Sequence, residues 1–239
     1  MSHQLDTTKN GEARMAYAGE IPWHRLGKKM IGLQTAEEML QAAHADFDVV
    51  TAKVAAVDDN GNFILNADGT PVLIDDARAT IRVNDDGTFD GLSTVGTRYV
   101  VTQNRESLQR ALNVVGASSG EAIVETCGVL RGGKEFFAGI NLGSLVLDPM
   151  GVNDHIDRYL LVRNGHDGKV PITYANTPTR PVCKNTVIMG LESARSVFTA
   201  RHTRNQEKAI EQAGEVLRIS TEWAKEFKAM AEKMLSIPV

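Results

Sequence analysis

Residues 177–187, with the sequence TPTRPVCKNTV, place one of the two cysteines of the chain among prolines and cations, directly before an apolar run. A thiol at a helix N-terminus, beside the positive charge of Lys184, is easily ionised and could act as a nucleophile. The prolines give a simpler explanation, because a helix cannot continue backwards through them, and Asn185 or Thr186 could cap a helix that begins here. We therefore predict that Cys183 is a buried residue at the start of a helix.

Nucleophilic chemistry at Cys183 would also need a base. The chain has six histidines, and no spacing rule pairs one of them with this cysteine. A hydrolase that uses Cys183 with His155, His166 or His202 is the least favoured interpretation, and labelling of the thiol at neutral pH would test it. We predict no catalytic residue.

Metal and nucleotide sites have recognisable spacings, and this sequence lacks them. The histidines never recur three or four residues apart, and neither cysteine belongs to a CxxC pair. RGGK at 131–134 lacks the four-residue spacer and the Lys-Ser/Thr end of a P-loop, and no GxGxxG occurs. We predict no metal site and no cofactor.

The clearest chemical feature is positive charge in the C-terminal third. The whole chain has 26 Lys and Arg against 30 Asp and Glu, a net charge of -4. Between residues 158 and 204, however, eight cations accompany only two carboxylates, Asp167 and Glu192. Such a region could neutralise the phosphates of a nucleic acid strand. The residues that we predict to bind DNA, of which the last two form a hairpin tip and are weaker candidates, are Arg163, Lys169, Arg180, Lys184, Arg201, Arg204, Arg131 and Lys134.

Two spacings bear on whether these cations share a surface. Arg158 and Arg163 differ by an odd number, so they point to opposite faces of one strand. Arg201, Arg204 and Lys208 fall on one stripe if a single helix contains all three. The alternative to a binding groove is an ordinary solvated face.

Composition places the protein in a broad class. A hydrophobic content of 42% over 239 residues is enough for a real core. Two cysteines do not make a disulfide framework, the polar start MSHQLDTTKN is unlike a signal peptide, and no run of about 18 apolar residues occurs. We expect a cytoplasmic protein without a membrane segment.

The first half of the chain predicts an arm, a helix and a β-meander. Residues 1–34 are irregular and Gly-rich, and we expect this arm to dock through Trp23. Thr35 and Glu38 form a capping box for a short helix at 35–45. From 47 to 101, β-branched stretches alternate with Asn-Gly and Asp-Gly turns, a pattern typical of an antiparallel meander.

The second half predicts a helix at 105–114 capped by Asn104, then two hairpins and two further helices. The first hairpin turns at RGGK, where we expect a two-residue turn, and the second turns at GHDG into a half-buried strand, KVPITYA. Helical spacing links Val187 to Phe198 in the segment after Cys183. Residues 205–235 have an amphipathic pattern that predicts a long helix, docked on its own subunit or on a neighbour.

These elements predict an α+β fold in which an antiparallel β-meander sheet is backed by helices and followed by a long C-terminal helix. The predicted organisation is an N-terminal arm at 1–34, an α+β core domain at 35–204 and the C-terminal helix at 205–239.

Two segments of the sequence resemble motifs of one protein family and occur in the same order as in that family. The segment MAYAGEIPWHRLGKK at 15–29 resembles the start of the phage/plasmid-like proteins, a family of unknown function with a DUF932-type domain. The segment LLVRNGHDGKVPITYANTPTRPVCKNTV at 160–187 resembles the second hallmark of that family, a polar turn followed by Arg-Pro-Val-Cys-Lys-Asn-Thr entering a helix.

The resemblance implies, at one further remove, kinship with the phage single-strand annealing proteins, the superfamily that contains RecT and Red-beta. Those proteins assemble side by side into rings or filaments that hold a DNA strand in a basic groove. We therefore expect a homo-oligomeric single-stranded DNA-binding and annealing protein of phage or plasmid recombination, acting without covalent chemistry.

The main alternative is an interaction protein of a mobile element that binds a protein partner through the 205–235 helix and has no DNA activity. The acidic first 150 residues, with 20 carboxylates against 13 cations, favour it. A gel shift with a labelled oligonucleotide would separate the two hypotheses.

Overall fold

The computed structural model describes residues 3–32, 34–116, 123–147, 154–213 and 233. These residues form an α+β fold with ten strands and four helices. The strands are β1 (Met15–Tyr17), β2 (Lys28–Lys29), β3 (Asp48–Ala55), β4 (Leu73–Val83), β5 (Phe89–Gly96), β6 (Ile123–Leu130), β7 (Glu135–Leu147), β8 (Asp154–Gly165), β9 (Ile172–Thr177) and β10 (Ser196–Ala200). The helices are α1 (Ala36–Ala42), α2 (Asn104–Gly116), α3 (Lys184–Glu192) and α4 (Gln206–Glu211).

The larger sheet has seven strands in the order β10-β9-β8-β7-β6-β1-β2. All of its pairs are antiparallel except β1 with β2. The N-terminal arm therefore belongs to the sheet, where Met15 pairs with Gly128 and Tyr17 with Thr126. The prediction that the arm docks through Trp23 is wrong. That side chain is 65% exposed, whereas the apolar residues of β1 are buried and its backbone is hydrogen-bonded to β6.

The smaller sheet is the predicted β-meander, with β4 between β3 and β5. Its strands are connected by turns that contain the expected glycines, and Gly61, Gly69 and Gly87 all have positive φ. This geometry suits glycine, which lacks the Cβ that disfavours it.

Two predicted helices occur with modified ends. Helix α1 has the capping box, in which Glu38 N–H donates to Thr35 and Thr35 N–H donates to Glu38. Helix α2 covers the predicted 105–114 segment, but Asn104 does not cap it. The Asn104 amide instead reaches other elements, donating to the carbonyl of Ala45 and lying 2.9 Å from His166 Nε2.

The hairpin of β6 and β7 differs from the prediction at its turn. Leu130 pairs with Glu135, so four residues connect the strands rather than two. Arg131, Gly132 and Gly133 have φ of 57°, 67° and 89° in succession. The paired glycines are therefore used in a wider, four-residue turn.

Apolar side chains cover both faces of the larger sheet. One face packs against α1, α2 and the smaller sheet, and the other packs against α3 and the N-terminal arm. Strand β9 lies between these layers and all six of its residues are buried. The expectation that this strand is half-buried is wrong because α3 covers the face that was assigned to solvent or ligand.

The C-terminal elements are shorter than predicted within the described residues. Helix α3 ends at Glu192, and Phe198 belongs to the edge strand β10, where β-branched neighbours favour extended backbone. Helix α4 spans Gln206–Glu211, so a long C-terminal helix is not part of the described structure. Most of the predicted 205–235 helix lies outside the described residues.

Within the described residues, the helices are all too short or too polar to cross a bilayer.

Candidate nucleic-acid interface

The eight cations predicted to bind DNA fall into separate groups. Arg163, Lys184 and Arg131 are bound to buried carboxylates, and Arg180 holds the N-terminal arm. Lys169, Arg201 and Arg204 line one open cleft. Lys134 is partly buried in the hairpin turn beside Arg131. Of the eight predicted residues, the structure therefore brings only Lys169, Arg201 and Arg204 together in an open cleft.

The first group surrounds Glu135, whose side chain is fully buried at the start of β7. Arg163 Nε donates to its Oε1 at 2.6 Å, and Lys184 Nζ donates to both carboxylate oxygens at 2.9 Å. The Arg163 and Lys184 side chains are only 17% and 14% exposed. These two cations are structural partners of Glu135 and offer little charge to a ligand.

Arg131 extends this cluster to a second carboxylate. Its Nη2 donates to Asp167 at 2.6 Å, and its Nη1 lies 3.5 Å from Glu135. Burial raises the pKa of Glu135, but hydrogen bonds and charge from Arg163 and Lys184 outweigh it and hold that pKa below its ordinary value. The carboxylate therefore stays ionised, as a buried anion can when it is fully paired.

Arg180 fixes the N-terminal arm to the core. Its guanidinium donates to the carbonyls of Ala18 and Glu20 and forms an ion pair with Glu125 on β6. These contacts lie directly after β1 in the arm, so Arg180 restrains the residues that lead out of that strand. It acts as a clamp within the chain.

Substitution Arg180→Ala should loosen the arm. Loss of the two charged hydrogen bonds should cost about 1.5 to 3 kcal/mol each, so amide exchange at Met15–Tyr17 by local opening should accelerate at least about tenfold. Hydrogen exchange with mass spectrometry measures this directly. Arg98→Ala, which removes an arginine far from the arm contacts, is the matched control. Equal exchange in β1 for the Arg180 variant and the wild type would contradict the clamp.

Three other predicted cations, Lys169, Arg201 and Arg204, have no carboxylate partner among the described residues and lie together in an open cleft. Its volume is about 1290 Å³, and four segments line it: Asp76 on β4, residues 96–100 after β5, residues 168–171 between β8 and β9, and residues 201–205 between β10 and α4. We name this surface the basic cleft. Lys169, Arg201 and Arg204 lie there as sequence analysis expected, and Arg98 joins them.

Charge in the basic cleft is strongly unbalanced. Four cations (Arg98, Lys169, Arg201, Arg204) against the carboxylate of Asp76 give a formal charge of +3. All four cations are exposed. The structure records no hydrogen bond or ion pair from their side chains to another described residue. They are available to an anion.

Arg98 was missed by sequence analysis because it lies in the acidic first part of the chain, more than 70 residues from Lys169. Only the packing of the loop after β5 against the segment before α4 reveals it. The predicted helical stripe is also wrong, since Arg201 and Arg204 precede α4, which begins at Gln206. Both arginines instead belong to the turns that connect β10 to α4.

Backbone and side-chain contacts fix the floor of the basic cleft. Val100 N–H donates to the carbonyl of His202 at 3.0 Å, and the Tyr99 ring stacks on the His202 ring with centroids 4.9 Å apart. The Tyr99 hydroxyl donates to the carbonyl of Gly165 at 2.7 Å. Beneath them, Thr102 donates to Gln206 at 2.8 Å. The cations are thus mounted on ordered backbone.

Two histidines are buried in this region and are neutral at pH 7. His202 is 6% exposed, and burial lowers its pKa to about 4, although the nearby backbone of Val100 and Val170 partly opposes the shift. Burial, and then the charge of His202, lower the pKa of His166 to about 3. Neither ring nitrogen of His202 has a hydrogen-bond partner of good geometry among the described residues.

Cys183 is the helix-start residue that the prolines predicted. It is fully buried, has extended backbone and directly precedes α3. The Thr186 hydroxyl accepts from the backbone N–H of Val182 and of Cys183, which caps the helix from inside. His166 lies beside Asn104 of α2 and Phe47, His202 stacks on Tyr99, and the side chain of His155 lies outside the described residues.

In the described ranges, no group of three or more His, Cys, Asp or Glu side chains is arranged to hold a metal ion.

Comparison with known proteins places the C-terminal part of the chain. No curated protein and no solved structure matches the chain. Residues 91–239 match the family described as a domain of unknown function, DUF932. The matched range contains the 160–187 motif and all four cations of the basic cleft, whereas the 15–29 motif lies outside it. Because this range covers more than half of the 239 residues, the chain belongs to the DUF932 family.

Proposed function

We propose that the protein binds single-stranded nucleic acid in the basic cleft. One observation carries the proposal: four exposed cations from three separate segments line one open cleft, with a single carboxylate among them. Phosphate groups along a strand are the ligand that such a row of charges fits best, because each neutralised phosphate releases condensed counterions.

An unpaired strand suits the cleft better than a duplex. Tyr99 is partly exposed in its lining, and its ring is held by the stack on His202 and by the hydrogen bond to Gly165. A fixed aromatic side chain beside phosphate-binding cations is the combination on which bases of single strands stack. The buried Tyr159 and Tyr174, by contrast, are core residues.

Three parts of the proposal are more specific than nucleic-acid binding. Annealing of two complementary strands, assembly as a ring or filament, and kinship with RecT and Red-beta come from the sequence resemblance and are kept as proposals. No covalent step is proposed.

Fluorescence anisotropy of a labelled oligothymidylate, measured over a series of salt concentrations, tests the cleft. Four phosphate contacts predict a slope of about -3 for log K against log salt on a single strand, and Arg98→Gln with Arg204→Gln should halve it. Lys28→Gln, an exposed cation on the opposite edge strand β2, is the matched control and should leave the slope unchanged.

Three results would count against the proposal. The first is a flat salt profile, the second is tighter binding of duplex than of single strands, and the third is an equal effect of the cleft and β2 substitutions. If binding is confirmed, mixing complementary strands that carry a fluorophore and a quencher tests annealing separately.

A further inference from the structure

Residues 54–75 form an apolar ribbon at the end of the smaller sheet. Of the fifteen large hydrophobic side chains that are exposed among the described residues, this ribbon contributes six: Val57, Phe63, Ile64, Leu65, Leu73 and Ile74. Phe63 and Leu65 are 60% and 55% exposed. Phe63 and Leu65 are two positions apart in extended backbone and therefore share one face of the ribbon. Exposed apolar side chains that share a face are typical of an interaction site.

The ribbon is ordered despite this exposure. Val57 pairs with Phe63 and Leu65 with Pro71 in two successive turns. Backbone hydrogen bonds of 2.8 to 3.0 Å connect Ala56, Ile64 and Val72. Asp58 accepts from Asn60 and Asn62, and Asp68 accepts from Thr70, so each turn is closed by a carboxylate. Little conformational entropy would be lost when this surface docks.

The ribbon is also uniformly acidic. Residues 54–75 contain four aspartates and no lysine or arginine, whereas Asp76 lines the basic cleft of its own copy. A second ribbon would therefore repel it, and a partner must combine positive charge with apolar contacts. The basic cleft has this combination, since Val100, Val170 and Pro171 line it together with its four cations.

We propose that the apolar ribbon of one copy docks in the basic cleft of a second copy of this chain. The ribbon side chains are exposed in the single chain, so they do not fill the cleft of their own copy. Each copy then offers one ribbon and one cleft. When the ribbon of one copy docks in the cleft of another, the pair still has one unoccupied ribbon and one unoccupied cleft. Further copies can therefore add, and the assembly grows into a filament or closes into a ring.

The docking is independent of the nucleic-acid proposal but has a consequence for it. Both ligands use Arg201 and Arg204, so an oligonucleotide should compete with the ribbon and shift the chain towards smaller assemblies. A ring or filament built by this contact would therefore be the state free of nucleic acid. Exposed charge pairs are screened, so association should also weaken as salt is raised.

Sedimentation equilibrium over a wide concentration range tests the proposal with two variants. Phe63→Ser with Leu65→Ser alters the ribbon, and Arg201→Gln with Arg204→Gln alters the cleft. Each pair should weaken self-association at least about tenfold. A mixture of the two variants should nevertheless form a dimer of about twice 26.0 kDa that does not grow, because one intact ribbon and one intact cleft remain.

All four positions are exposed, so both variants should fold, and circular dichroism checks this. A wild-type chain that stays monomeric at every concentration, variants that associate like the wild type, or a mixture that stays monomeric would each overturn the docking. The ribbon variant keeps the basic cleft, so its oligonucleotide binding reports on the proposed function alone. If the wild-type chain associates as proposed but does not bind the oligonucleotide, only the proposed nucleic-acid function is refuted.

Discussion

Substitution Glu135→Gln should lower the free energy of unfolding by about 3 to 5 kcal/mol. Glutamine keeps the size of the side chain but removes the charge that Arg163 and Lys184 share at 2.6 to 2.9 Å. Both cations are largely shielded from water, so neither can be solvated fully in the variant. Removing one partner of a buried ion cluster leaves the others uncompensated, which is the costly outcome. Urea denaturation at pH 7 measures the difference.

Two further variants make this prediction sharper. Glu192→Gln removes an exposed carboxylate of α3 and should change the free energy of unfolding by no more than about 0.5 kcal/mol. Replacing Glu135, Arg163 and Lys184 together by methionine should recover much of the loss, because no unpaired charge is then buried. A cost below about 1 kcal/mol for Glu135→Gln would contradict the described cluster.

Acidification should destabilise the fold well above the pH at which its carboxylates protonate. The pKa values of His166 and His202 are lowered to about 3 and about 4 in the folded state, against about 6.5 for an unfolded histidine. Below pH 6.5 the unfolded chain therefore binds more protons, and the free energy of unfolding falls as the pH falls. At pH 5 the two groups together account for a loss of about 4 kcal/mol.

Substitution His202→Phe isolates one of these groups. The ring nitrogens of His202 have no well-formed partner among the described residues, and phenylalanine can keep the stack on Tyr99. Between pH 7 and pH 5 the variant should lose about half as much stability as the wild type, as measured by urea denaturation at several pH values. Thr203→Ala, next to it and without a titratable group, should follow the wild-type curve. An unchanged slope in the phenylalanine variant would contradict a buried neutral His202.

Local sequence signals predicted much of the fold. The capping box of Thr35 and Glu38, the Asp-Gly and Asn-Gly turns of the meander, and the prolines before Cys183 each concern neighbours within a few residues. Such signals are strong because the hydrogen bonds and turn conformations that they specify involve only residues of the same short segment. Phe198 had a competing signal that was missed, since Val197 and Thr199 beside it favour a strand.

The candidate site could be predicted only in part, because counting cations does not identify their partners. Glu135 and Arg163 are diagonal neighbours on paired strands, with Phe137 opposite Arg163 and Gly165 opposite Glu135. A correct register for β7 and β8 would have removed Arg163 from the predicted DNA contacts. The position of Arg98 in the basic cleft could not be predicted from a local sequence pattern, because its loop reaches the cleft through tertiary packing against His202.

The position of β1 in the sheet determines when this strand can pair during synthesis of the chain. Met15 pairs with Gly128, and the clamp that holds the arm comes from Arg180. A ribosome would therefore release the first strand more than 100 residues before its antiparallel neighbour exists. During that interval the strand has an unsatisfied edge, the kind of segment that chaperones cover and that aggregates when left open. The arm is translated before β6 but would reach its place in the sheet only afterwards.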